Sequence, residues 1–257
     1  MRTVGDILQF VETLAPSSMK MEWDNVGLLC GSKNAEVTKV LVALDPFEGV
    51  CHEAQSIGAQ LIVTHHPLIF RAPKAITDDT SVGRSIMFLC RNGISAINAH
   101  TNLDQVPGGV NDVLASRLGL EHVQIINPVD GYGLLRCGEV KQQPMEDFLA
   151  VVKEQLGCSG MRYVNSGNPV HKVAVGGGAC ADEMLEALHA GCDTFVTADV
   201  KYNQFWDAYD LGMNLIDAGH FHTENPVVSV LAEKIAAAFP DLQVEISKTH
   251  TDCVKYY

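Results

Sequence analysis

Two heptapeptides, Gly58-Ala59-Gln60-Leu61-Ile62-Val63-Thr64 and Gly191-Cys192-Asp193-Thr194-Phe195-Val196-Thr197, lie over one another without a gap. Each ends in a short apolar run behind a turn residue, which is how a buried strand reads. The same order of elements surrounds both. In the first half, apolar residues at helical spacing (Val4, Ile7, Leu8, Val11, Leu14) predict a helix that stops before Pro16. Strands follow over 39–44, 60–64 and 95–98, alternating with helices over 46–56, 81–92 and 109–118. In the second half, strands over 172–175, 194–197 and 214–218 alternate with helices over 182–190, 203–209 and 226–239. Pro226 sits in a first helical turn, where its missing N–H costs nothing. Strand–helix alternation predicts an α/β fold with largely parallel pairing. At 257 residues the chain has room for two domains. The repeated order sets these as two related α/β halves from an internal duplication, residues 1–125 and 126–257.

Ligands in parallel α/β folds gather beyond the carboxyl ends of the strands. Three such ends here carry ligand-type side chains: His65-His66 after Thr64, the His100 to Asp104 segment after Asn98, and the His220 to Glu224 segment after Ala218. The last two are read as loops of one pattern, a histidine with a carboxylate four residues on. Along a strand His65 and His66 would face opposite ways; at a strand end, with Pro67 turning the chain, both can address one cavity. Asp104 and Glu224 supply the anionic oxygens that two neighbouring divalent cations need between them, and one of the two is expected to bridge. His220 completes a nitrogen and oxygen set. The expected architecture is therefore two halves packed around a central di-metal cleft.

The donor set lacks thiolates, which points to two divalent ions per chain drawn from Zn, Mn, Fe or Co and away from structural zinc or iron–sulfur centres. Eight cysteines are scattered with no C-x-x-C pair, so all are expected to be structural thiols of a reducing compartment. His100 and His222 lie within the ligand segments and are the candidates for moving protons or contacting substrate. His52, His122, His171, His189 and His250 fall outside these segments and are read as surface or packed residues. Gly176-Gly177-Gly178 offers either a phosphate cradle at a helix start or a tight turn where backbone packs closely.

Charge narrows the partners. Only 18 Lys and Arg face 31 Asp and Glu, a formal net charge of −13, so general nucleic-acid binding, which rests on phosphate neutralisation, is not expected. The longest apolar runs are far too short to span a bilayer. Asp6 and Glu12 interrupt any secretory signal pattern near the start. A cytoplasmic protein is the expectation.

Four motifs in order carry a family likeness: Trp23-Asp24-Asn25-Val26-Gly27-Leu28, Val63-Thr64-His65-His66-Pro67-Leu68, Asn98-Ala99-His100-Thr101-Asn102-Leu103-Asp104, and Gly219-His220-Phe221-His222-Thr223-Glu224. With them the chain resembles the GTP cyclohydrolase 1 type 2 homolog family, the Nif-three-like proteins, from near residue 1 to near residue 250. The resemblance implies a two-domain α/β fold, a di-metal site held by His65, His66, Asp104, His220 and Glu224 with the last bridging, and ring-shaped homohexamers. Some members carry a large insert between the halves; the stretch from Leu120 to His171 is too short for one. Two functions follow as expectations. One is a metal-dependent hydrolase of a nucleotide-like or phosphorylated small molecule, in which paired ions activate water and polarise a substrate oxygen. The other is a ring-forming, metal-binding regulatory or partner-binding protein without turnover.

Overall fold

The computed structural model describes residues 1–257. In chain order the elements are β1 (Arg2–Thr3), α1 (Val4–Leu14), β2 (Gly27–Cys30), β3 (Glu36–Val37), β4 (Lys39–Ala43), α2 (Glu48–Ser56), β5 (Leu61–Thr64), α3 (Ser81–Asn92), β6 (Ser95–Asn98) and α4 (Thr101–Gln105). Then come α5 (Val110–Arg117), β7 (Glu121–Ile125), β8 (Arg136–Gln143), α6 (Met145–Leu156), β9 (Arg162–Val164) and β10 (Val170–Val175). The remainder is α7 (Met184–His189), β11 (Thr194–Thr197), α8 (Tyr202–Asp210), β12 (Asn214–Asp217), α9 (His220–Glu224), α10 (Pro226–Ala238) and β13 (Gln243–Ile246). No helix is long and apolar enough to cross a membrane.

The chain divides into two compact units, and each is interrupted. Unit 1 is Met1–Leu103 with Val228–Thr251; unit 2 is Asp104–Val227 with Asp252–Tyr257. The sequence reading sets one cut at 125/126. The structure differs because the last part of the chain supplies β13 to the first sheet, so the unit that begins the chain also takes in most of its end.

Unit 1 holds a five-stranded sheet in the order β13-β4-β5-β6-β2. β13, β4, β5 and β6 are parallel, and β2 closes the edge antiparallel to β6. A small antiparallel pair, β1 with β3, lies apart from it. α1 starts at a capping box: Thr3 Oγ1 accepts from the Asp6 N–H and the Asp6 carboxylate accepts from the Thr3 N–H. All strand residues from Leu61 to Thr64 and from Ser95 to Asn98 are buried, as parallel strands covered on both faces require. Leu41, Ala43, Ile62 and Ala96 form one core with Val50, Cys51 and Ala54 of α2 and Ile86 and Leu89 of α3.

Unit 2 holds a six-stranded sheet in the order β7-β8-β10-β11-β12-β9. β10, β11 and β12 are parallel, while β8 and β9 flank them antiparallel. Alternate residues go to two different cores. Val173, Val175, Val196 and Ile216 pack with Leu114 of α5 and Phe148 and Val152 of α6; Ala174, Phe195 and Leu215 pack with Met184 and Ala187 of α7 and Ala208 of α8. Period-two alternation with both faces covered is the signature of a layered α/β sheet. In each unit a run of parallel strands ends at an antiparallel edge strand, β4-β5-β6 at β2 and β10-β11-β12 at β9.

Candidate metal centre

In unit 1 three parallel strands end side by side. Ala43 pairs with Thr64, and Thr64 with Asn98. Just past these ends the chain places Asp45, His65 with His66, and His100. The rings of His65 and His66 lie 4.9 Å apart, and each is near His100, at 5.2 and 5.4 Å. One potential donor atom from each of the three lies within 4.8 Å of the others. The chain bends at His65 and His66, just past the strand, and the two adjacent histidines share one cluster with His100.

Each of these rings has its Nδ1 assigned to an oxygen. His65 Nδ1 donates to the Ala99 carbonyl at 2.9 Å, His66 Nδ1 to Asp45 Oδ1 at 2.7 Å, and His100 Nδ1 to Asp24 Oδ1 at 2.8 Å. A carbonyl or carboxylate can only accept, so the neutral rings carry the proton on Nδ1 and the lone pair on Nε2. That is the tautomer a metal-ligating histidine needs. Burial works against ionisation of Asp24, but hydrogen bonds from His100 and Thr101 hold its carboxyl well below the usual range. Asp45 is likewise low: burial opposes, and hydrogen bonds from His250 and His66 outweigh it. Trp23 and Phe70, both substantially exposed, lie edge-on to His100 at 6.2 and 6.1 Å.

Unit 2 repeats the plan. β11 and β12 end in register, Thr197 beside Asp217, and Asp199 and α9 follow. The sequence predicts a loop over His220–Glu224, and another over His100–Asp104; the structure winds both, as α9 and α4. A helical turn puts residues i and i+4 on one face, and His220 Nε2 lies 3.0 Å from Glu224 Oε2. The spacing that suggested a shared site is thus a helical period. His220 Nδ1 donates to Asp199 Oδ2 at 2.7 Å. Burial lowers the His220 pKa, but hydrogen bonds to Asp199 and Glu224 overcome it and push the ring up to about 11. A metal taking this ring must therefore displace a proton. Asp104, on α4, brings a carboxylate oxygen within 4.8 Å of one from Glu224.

His222 stands two residues after His220, on the other side of the helix. Its Nδ1 donates to the Leu156 carbonyl at 3.1 Å and its Nε2 lies 3.1 Å from Asp252 Oδ2. The glycine run resolves to the tight turn. Gly177 N–H donates to Asn111 Oδ1 and Gly178 N–H to Thr223 Oγ1, so neither points at an anion site. At Gly178, φ +64, an added Cβ would stand 2.1 Å from Glu224 Oε1 and 3.2 Å from His220 Nε2. Cys180, close by, is pushed well above the ordinary thiol range by burial and by the charges of Asp104 and Glu224.

A family model described as Duf34/NIF3 (NGG1p interacting factor 3) matches residues 2–253. The chain belongs to the Duf34/NIF3 family. Its relatives include a "GTP cyclohydrolase 1 type 2 homolog" of Clostridium perfringens, 38% identical with 97% of each chain covered. The fold is shared with a Staphylococcus aureus hypothetical protein (TM-score 0.92, 32% identity, 99% of each chain). A Bacillus cereus protein related to NIF3 gives a TM-score of 0.94 at 25% identity, covering 100% of this chain and 99% of that one. Not all Duf34/NIF3 chains are this short. The alignment with a Halalkalibacterium halodurans relative spans 360 positions against the 257 residues here, so that relative carries additional sequence.

Four residues that escape sequence reasoning complete the two histidine sets: Asp24, Asp45, Asp199 and His250. Asp45 and Asp199 did leave a signal, since each lies two residues past the end of a parallel strand, at Ala43 and Thr197. Asp199 also adopts φ 52, a left-handed conformation that an Asp tolerates and that often marks a functional position.

Proposed function

We propose that this protein is a divalent-metal-dependent hydrolase of a nucleotide-like or phosphorylated small molecule, with His65, His66, Asp104, His220 and Glu224 as ligands to two ions. The observation that carries the reading is the histidine set of unit 1, in which three Nδ1 nitrogens are committed to Ala99, Asp45 and Asp24 and one potential donor atom from each of the three rings lies within 4.8 Å of the others. Buried carboxylates at Asp104 and Glu224 add the negative charge that paired cations need, and Glu224 is the proposed bridge. A donor set of imidazole and carboxylate suits Zn, Mn, Fe or Co. Bound ions of this kind supply activation of water and polarisation of a substrate oxygen.

The chain's own residues do the rest. Asp24 holds the proton on His100 Nδ1, which leaves Nε2 able to accept a proton from water and return it to a leaving group. Between the two candidates for this task the geometry favours His100, because both nitrogens of His222 face acceptors, Leu156 O and Asp252. Trp23 and Phe70 beside His100 offer stacking faces to a planar base. The homo-oligomer implied by the resemblance has a surface to use in unit 2, where α8 exposes Tyr202, Trp206 and Tyr209 at helical spacing.

Metal content by mass spectrometry of protein purified without added metal tests the site. About two ions per chain are expected, with a clear loss in Glu224→Ala. Loaded protein should then hydrolyse GTP or a member of a nucleotide and phosphoester panel, and Glu224→Ala should not. Wild type without stoichiometric metal after anaerobic reloading overturns the proposal. Metal-loaded protein without turnover, whose metal-site variants keep partner binding, would establish the regulatory reading instead.

A further inference from the structure

We propose that the segment Ser247–His250, near the end of the chain, is a latch that positions the ligand His66, acting through Asp45. This rests on the metal reading above and adds a residue, His250, that is not among the proposed ligands.

Asp45 has two carboxylate oxygens, and a different histidine holds each. His66 Nδ1 donates to Oδ1 and His250 Nε2 donates to Oδ2, both at 2.7 Å. A carboxylate gripped at one oxygen can still swing about its side-chain torsions; gripped at both, its plane is fixed, and with it the direction in which His66 presents Nε2. The His250 side chain is only 6% exposed and stacks on Phe47, with ring centroids 5.7 Å apart and planes 23° from parallel. Partners that orient a ligating imidazole typically change metal affinity 10–100-fold when removed.

The approach of His250 is itself fastened. β13 runs parallel to β4, and the Ser247 N–H continues the pairing onto the Val42 carbonyl at 2.8 Å. Glu53 on α2 then clamps the next residues. Its carboxylate accepts from the Lys248 N–H at 2.8 Å, from Thr249 Oγ1 at 2.7 Å, from the Thr249 N–H and from Ser247 Oγ. The His250 N–H closes back onto Ser247 Oγ at 3.2 Å. A line of contacts therefore runs from Glu53 through the backbone of 247–250 to His250, Asp45 and His66. Glu53 thus accepts from four donors on three consecutive residues, which fixes the segment that leads into His250.

The test compares wild type with His250→Ala, His250→Gln and Glu53→Ala. One readout is Co²⁺ titration followed by visible absorption. The other, on metal-free protein labelled with ¹⁵N-histidine, is the tautomer of the His66 ring by NMR. Expected for His250→Ala and Glu53→Ala are about tenfold or more weaker binding of one ion, an altered Co²⁺ spectrum, and a His66 ring shifted from Nδ1–H toward a tautomer mixture. His250→Gln, whose amide can again donate to Asp45, should recover most of the affinity and the spectrum. Unchanged Co²⁺ affinity, spectrum and His66 tautomer in folded His250→Ala and Glu53→Ala overturn the latch. A wild type that takes up no Co²⁺ overturns the metal reading instead, and the His66 tautomer then decides the latch by itself.

Discussion

Gly178 has no room for a side chain: one methyl would stand 2.1 Å from the Glu224 carboxylate, at a backbone φ of +64 that an L side chain rarely adopts. Gly178→Ala should therefore displace Glu224 and lower metal content per chain, while far-ultraviolet circular dichroism stays that of the wild type; retained metal would show that the carboxylate has slack. The cysteines give a second expectation. Burial raises the thiols of Cys30, Cys51, Cys158, Cys180 and Cys192 above their ordinary pKa, and only Cys90 and Cys253 are exposed. Because the thiolate is the reactive form, iodoacetamide at neutral pH should label Cys90 and Cys253 in native protein and all eight in denaturant, counted by intact mass. Labelling of Cys180 without denaturant would mean that the turn over Glu224 opens.

Among the elements, α6 shows how packing decides stability. Its Phe148 is fully buried among Leu114, Val152, Val173 and Val196, so Phe148→Ala should cost about 3–5 kcal/mol by urea denaturation. Thr3→Ala, which removes the cap of α1, should cost about 1 kcal/mol. These two helices also mark what could be read beforehand. α1, α3, β6 and β11 match their expected limits because apolar spacing is strong and turn residues bound it. α6, β7 and β8 lie in the stretch 120–171, where the sequence reading assigns no element: β7 is mostly exposed and β8 turns polar toward its end, so neither shows a clean period. α4 and α9 do not show as helices in the sequence because five residues are too few to display a helical period, although the His–x₃–carboxylate spacing is one. The clustering of His65, His66 and His100 is legible from their position at strand ends. Asp45 and Asp199 are not singled out in the sequence, since an isolated Asp after a strand also serves as an ordinary turn residue.

For the molecule as a whole, carboxylates set the acid limit. Burial works against ionisation of Asp24 and Asp45, yet hydrogen bonds hold both well below the usual range. A lowered native pKa contributes stability that is complete above the unfolded value, near 4, and is lost as pH falls through the native one. The urea midpoint should thus drop below about pH 4, and less steeply in Asp24→Asn; parallel curves for the two proteins would remove Asp24 from the account. The division of the chain has a consequence of another kind, in time. Unit 1 opens with residues 1–103 and resumes only at 228, so a ribosome making ~5–20 residues per second spends roughly 6–25 s on the intervening segment. Through that interval β4 has β5 on one side and an unpaired edge on the other, a place where foreign strands can add. Of unit 2 only Asp252–Tyr257 is still to come when residue 227 emerges, so the unit begun second can collapse first, and the histidines of unit 1 wait for β13, Gln243–Ile246, to be translated.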